Sequence, residues 1–166
     1  MANQNIALII VLALAAGLFI GSLSMLVFPI QPQLITGSGS PDGIPTVNIT
    51  LYAGELSGSN YGFGTSAENI TSPGPTLRFK TSDVVNLTLI NVGNLPHAFS
   101  ITAEPRTGAI TLFRANVASA TNPLNPGQSG SVIFTPNSPS DQDYYICPVA
   151  GHAELGMYGS IIISTG

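Results

Sequence analysis

Cys147, His152 and Met157 stand in one short run near the end of the chain, spaced Cys-x4-His-x4-Met within Cys147-Pro148-Val149-Ala150-Gly151-His152-Ala153-Glu154-Leu155-Gly156-Met157. Cys147 is the only cysteine, and Met157 is the only methionine beyond the apolar N-terminal stretch. The only other histidine is His97, 50 residues before the cysteine. A thiolate, two imidazoles and a weak axial thioether are the donors of a mononuclear blue copper site, in which the soft sulfur stabilises Cu(I) and the imidazoles suit both valences. Cys147, His97, His152 and Met157 supply one donor each. Cys147 and His152 then come from the two ends of a turn between strands, which Pro148 and Gly151 suit, while His97 reaches in from elsewhere.

Each residue alone has a plainer reading. A lone Cys is most often a small buried hydrophobe, a lone His a satisfied polar group, and a Met beside a C-terminal strand core packing. It is their joint spacing that favours a metal. Zinc competes through Cys and His, but Met is a poor zinc ligand. A carboxylate donor from Glu154 is a further alternative, which Met157 makes unnecessary. Metal-free β-sandwich and copper storage or delivery protein remain the competing readings, although delivery sites prefer more methionines than this one.

The string Tyr144-Tyr145-Ile146-Cys147 through Met157-Tyr158-Gly159 resembles the copper loop of the sulfocyanins, archaeal membrane-associated relatives of rusticyanin. Asn94-Leu95-Pro96-His97 is similar to the upstream ligand motif of that family. The resemblance runs from near Thr46 to the C-terminus and implies an all-β cupredoxin: a Greek-key β-sandwich of seven or eight strands, preceded by one N-terminal transmembrane helix. It further implies one type 1 copper ion bound by His97, Cys147, His152 and Met157. The expected role is a membrane-tethered one-electron carrier that serves a respiratory chain through a cytochrome or terminal oxidase complex, and not an enzyme. One departure concerns Ala98: some cupredoxins carry a hydrogen-bonding side chain directly after the upstream histidine, and here none is available to the Cys147 sulfur.

A sandwich must position these ligands, and the apolar period is two from Thr46 onward. Val47, Ile49 and Leu51 alternate with polar neighbours, as do Val85, Leu87 and Leu89. Further strands are expected at 76–80, 97–103, 130–135, 143–147 and 157–164, giving an antiparallel sandwich. Residues 54–75, with Tyr61 and Phe63, and 104–128 read as long connections that cover the barrel or carry a short helix. His97 is expected to be the buried ligand, its second ring nitrogen donating to Asn91, Asn94 or Asp83. His152 is expected at the centre of an apolar collar of Pro148, Val149, Ala153 and Leu155, with Val149 and Ala153 exposed, where a redox partner docks without desolvating charge. Glu154 there steers a basic partner or keeps the patch soluble.

Of 166 residues, 44% are apolar, and only 4 are basic against 8 acidic. That balance argues against a nucleic-acid partner, and no nucleophile, base or small-molecule substrate site stands out. Residues 6–28 are 23 consecutive uncharged positions, enough for a helix to span a bilayer. Met1 to Asn5 carry no Lys or Arg, so an uncleaved single-pass anchor is favoured over a signal peptide. The expected organisation is an anchor (or uncleaved signal) at 1–28, a flexible Pro-, Gly- and Ser-rich linker at 29–45 and the cupredoxin domain at 46–166. Three sequons, at Asn48, Asn69 and Asn86, fit a domain on the extracytoplasmic side of the cell membrane. Charged residues make up 7% of the chain, a surface suited to an acidic exterior. A single cysteine leaves stability to the core.

Overall fold

The computed structural model describes residues 43–58 and 60–166, with the backbone pairing of Ile35–Thr36. The expected anchor at 1–28, and the linker apart from that short strand and residues 43–45, lie outside the described residues. Among the described residues there is no helix, hence none long and apolar enough to cross a membrane.

Among the described residues, eleven strands form two sheets. They are β1 (Ile35–Thr36), β2 (Val47–Glu55), β3 (Tyr61–Gly64), β4 (Ile70–Thr71), β5 (Gly74–Lys80), β6 (Val85–Asn91), β7 (Phe99–Thr102), β8 (Thr111–Val117), β9 (Ser129–Phe134), β10 (Ser140–Ile146) and β11 (Tyr158–Ser164). One sheet runs β1-β9-β6-β2-β3-β4 and the other β5-β11-β10-β7-β8. The alternation read from the sequence is the burial pattern observed: along β6, Val85, Leu87, Leu89 and Asn91 face inward, and along β11 Gly159, Ile161 and Ile163 do.

The sandwich is mixed and not purely antiparallel as expected. β2 pairs in parallel with β6, β5 with β11 and β1 with β9. A parallel pair needs a long crossover, and here residues 56–84 supply it: the chain turns back through β3 and β4, crosses to the second sheet as β5, and returns as β6. The two stretches expected as long connections thus hold β3, β4 and β8, and no helix among the described residues. Ile35–Thr36, within the expected linker, adds a strand beside β9.

The largely aliphatic core between the sheets holds an aromatic cluster. Phe63 meets Tyr145 edge-on at 5.2 Å between ring centroids, and Tyr145 stacks on Phe99 at 5.7 Å. Tyr145 opposes Gly159, which in turn pairs with Gly74. A Cβ on Gly159 would lie 2.2 Å from the tyrosine ring, so only glycine lets that ring lie against the strand. The Tyr145 hydroxyl donates to the Pro75 carbonyl at 2.6 Å, which satisfies its one polar atom. The ring is thereby fixed two residues before Cys147.

Candidate metal centre

His97 lies in the connection between β6 and β7, and its backbone is held before its side chain is considered. Asn91, fully buried at the end of β6, donates from its amide to the Leu95 carbonyl (2.8 Å) and the Leu124 carbonyl (2.9 Å), and accepts from the Gly93 amide (3.0 Å). His97 and Leu124 exchange both backbone hydrogen bonds, at 3.0 and 2.8 Å. The ring that results is fully buried, as expected.

Cys147 follows β10 and Met157 precedes β11, and the strand register carries them together. The Cys147 amide donates to the Met157 carbonyl (3.0 Å), and the Met157 amide to the His152 carbonyl (2.9 Å). Between them the chain coils: His152 donates to Val149, Leu155 to Gly151 and Gly156 to Ala153. Gly151 has φ 82° and Gly156 φ 91°, left-handed conformations that glycine adopts without cost. The expected turn is therefore present, and it folds His152 back over the thiol.

The ligand atoms of His97, Cys147 and His152 all lie within 4.8 Å of one another, and all three side chains are buried. Cys147 Sγ is 3.5 Å from His152 Nδ1. The Ala98 amide donates to Sγ at 3.4 Å, so the backbone supplies at this position the donor that the alanine side chain lacks. Burial pushes the Cys147 thiol up to about 11, against the amides of Ala98 and Val149. Burial also holds both histidines below the usual imidazole range; for His97 the neighbouring His152 adds to this, and for both Glu55 opposes it. Burial thus disfavours charge on both imidazoles and on the thiol.

Among the described residues His97 Nδ1 is the one buried side-chain nitrogen or oxygen without a hydrogen-bond partner. Leaving such an atom unpaired costs about 1–3 kcal/mol, and a metal ion among these donors would satisfy it. The residues present therefore fit a soft or borderline metal. Met157 is fully buried in the same loop.

Several expectations change. The partner of the second His97 nitrogen is none of Asn91, Asn94 or Asp83: Nε2 lies 3.3 Å from Glu55 Oε1. Asn91 is committed to the loop backbone, Asp83 accepts from the Lys80 amide (2.7 Å), and Asn94 contributes only its amide, which donates to Glu55 Oε2 (2.8 Å). The Leu95 amide donates to Glu55 Oε1, also at 2.8 Å. Burial would raise the Glu55 pKa, but these amides and His97 outweigh it and hold the carboxyl below its usual range. Tyr61 was placed in a connection, yet its ring stacks on His152 at 4.2 Å between centroids and 17° between planes.

The collar differs too. Ala153, expected outside, is buried, because the coil turns it inward; Val149 is half-buried against the core, and Leu155 is the exposed member at 46%. Glu154 lies outside the cluster of His97, Cys147 and His152: its carboxylate accepts from the Thr107 amide (2.9 Å) and hydroxyl (2.8 Å), tying the loop to the β7–β8 connection.

No protein-family model matches the chain. Rusticyanin of Acidithiobacillus ferridurans is 31% identical over 93 residues, 54% of this chain and 50% of that protein; the chain spans about half the length of the curated relatives it matches. A crystallised rusticyanin superposes with a TM-score of 0.52 at 22% identity, covering 81% of this chain and 84% of that one. A copper nitrite reductase from Nitrosomonas europaea superposes at 0.53 and 26% identity, covering 71% of this chain but 41% of its own. The shared fold is that of the cupredoxins.

Proposed function

We propose that the chain is a one-electron carrier with a single type 1 copper ion held by His97, Cys147 and His152, with Met157 as a fourth, weaker ligand. The observation that carries this reading is the convergence of three buried donors, one of them an orphaned imidazole nitrogen. The likeness to rusticyanin supports it. When bound, copper supplies the couple between its two valences; the rest is done by the chain. Glu55 accepts from Nε2–H, which leaves the His97 Nδ1 lone pair free to ligate. Two strands and a hydrogen-bonded loop hold the cysteine, the second histidine and the methionine in place, so that little moves when charge changes. The amide on the Cys147 sulfur steadies the thiolate.

The finer reading is a carrier of the sulfocyanin kind, anchored by residues 6–28 and presenting the domain outside the cytoplasm to a respiratory partner. Its support is the uncharged run in the sequence and the copper-loop resemblance. The partner would meet the exposed Leu155 and the half-buried rim of Pro148 and Val149 beside His152.

Adding Cu(II) to the purified metal-free protein tests the central claim. An intense visible thiolate-to-copper band with one equivalent bound is expected, and Cys147→Ser should abolish it. A colourless protein binding zinc with equal stoichiometry would favour a structural site.

A further inference from the structure

The two imidazoles are braced from outside by one hairpin that the ligand set does not include. β2 and β3 are antiparallel, and their last register pair is Glu55 opposite Tyr61. The hairpin closes with the Leu56 amide donating to the Asn60 carbonyl at 2.8 Å. From this one cross-strand pair, Glu55 reaches His97 Nε2 at 3.3 Å, and Tyr61 stacks on His152 at 4.2 Å while meeting His97 edge-on at 6.0 Å. The two imidazole centroids are themselves 5.1 Å apart.

The seat of the carboxylate is built. Both oxygens accept backbone amides, from Asn94 and Leu95, three and two residues before His97. Gly93 leaves the room: a Cβ there would lie 2.6 Å from a Glu55 oxygen. Glu55 therefore fixes the loop that carries His97 as well as the ring, and its side chain is only 23% exposed.

We propose that the Glu55–Tyr61 pair is the positioning clamp of the metal centre. Glu55 sets the His97 ring and biases the bound metal toward its higher charge; Tyr61 sets the His152 ring. This rests on the copper reading above. A full negative charge one imidazole away from the metal favours the state with one more positive charge, by Coulomb attraction that partial exposure weakens but does not remove. The stacked ring of Tyr61 restricts rotation of His152, whose rim position otherwise leaves it the freer of the two.

Redox titration and electron paramagnetic resonance of the copper-loaded variants separate the two roles. Glu55→Gln removes the charge and keeps one oxygen, enough to accept from His97 and Leu95, while its NH2 loses the Asn94 amide bond; the visible band should persist while the Cu(II):Cu(I) affinity ratio falls about tenfold and the potential rises. Glu55→Asp should keep the charge and restore the ratio in part, even where the shorter side chain loosens the loop. Tyr61→Phe should match the parent protein, whereas Tyr61→Leu should alter the resonance of the His152 nitrogen and speed copper loss. A Glu55→Gln protein with its band and an unchanged potential would overturn the charge role, and a Tyr61→Leu protein with unaltered resonance would overturn the stacking role. A parent protein without the band would instead sink the copper reading itself.

Discussion

At the scale of single residues, the division of labour among the donors is set by what else each side chain does. His97 Nε2 faces Glu55, which leaves Nδ1 buried and unpartnered; Cys147 carries a backbone amide on its sulfur. The side chain of Met157 is fully buried and apolar apart from its thioether, so replacing it with another apolar group disturbs packing little. Under the copper reading, Met157→Leu should therefore fold, bind copper and keep the charge-transfer band, while the potential rises because the proposed weak thioether donor is lost. Redox titration beside the parent protein checks this. Loss of copper would show that the thioether anchors the metal, and an unchanged potential would remove it from the ligand set.

At the scale of elements, the strands that flank the candidate donors were legible, as was the start of β2, whereas β3, β4 and β8 were not. β6, β9 and β11 alternate cleanly, and the loop with Cys147, His152 and Met157 announces itself by the rarity of its residues. β8 escaped because Thr111-Leu112-Phe113-Arg114 does not alternate, and Phe113 and Arg114 both take φ 54°, a kink that no residue type there signals. β3 escaped because Gly62 and Gly64 look like turn residues, whereas their missing Cβ atoms admit the close approach of Thr71 and Asn69. Glu55 and Tyr61 could be found only by knowing that β2 runs parallel to β6, so that the end of one strand meets the loop after the other. Non-local pairing of this kind leaves no periodic trace. The same close packing makes glycine indispensable at 159, where the tyrosine ring presses on the backbone. Gly159→Ala should cost about 1–3 kcal/mol, as overpacking does, and lower the denaturant midpoint of the metal-free protein. An unchanged midpoint would mean that Tyr145 has somewhere else to go.

At the scale of the whole molecule, the charge-poor surface leaves the buried site to set much of the response of metal-free protein to pH. His97 and His152 are held below their ordinary 6.5 by burial, so between that value and their folded values the unfolded chain binds more protons and stability falls as pH falls. Glu55 and Glu154, both lowered, add a second loss below 4.5, as each is protonated through its folded value. On the alkaline side the sign reverses: the Cys147 thiol ionises near 9.0 when unfolded but at about 11 when folded, so the stability of its neutral form is complete below 9.0 and is lost as pH rises toward 11. Two pKa units correspond to about 3 kcal/mol. Tyr145, also raised by burial, joins that limb above 10.0. Urea midpoints of the metal-free protein should therefore form a plateau between about pH 6.5 and 9 and decline on both sides. Cys147→Ala should remove the decline between 9 and 10 and leave the acid limb intact. Copper-loaded protein, with the imidazoles and thiolate held by the metal, should lose the first acid step until the metal is released. A metal-free protein equally stable at pH 7 and pH 5 would show that the histidines reach solvent in ways this pocket does not allow.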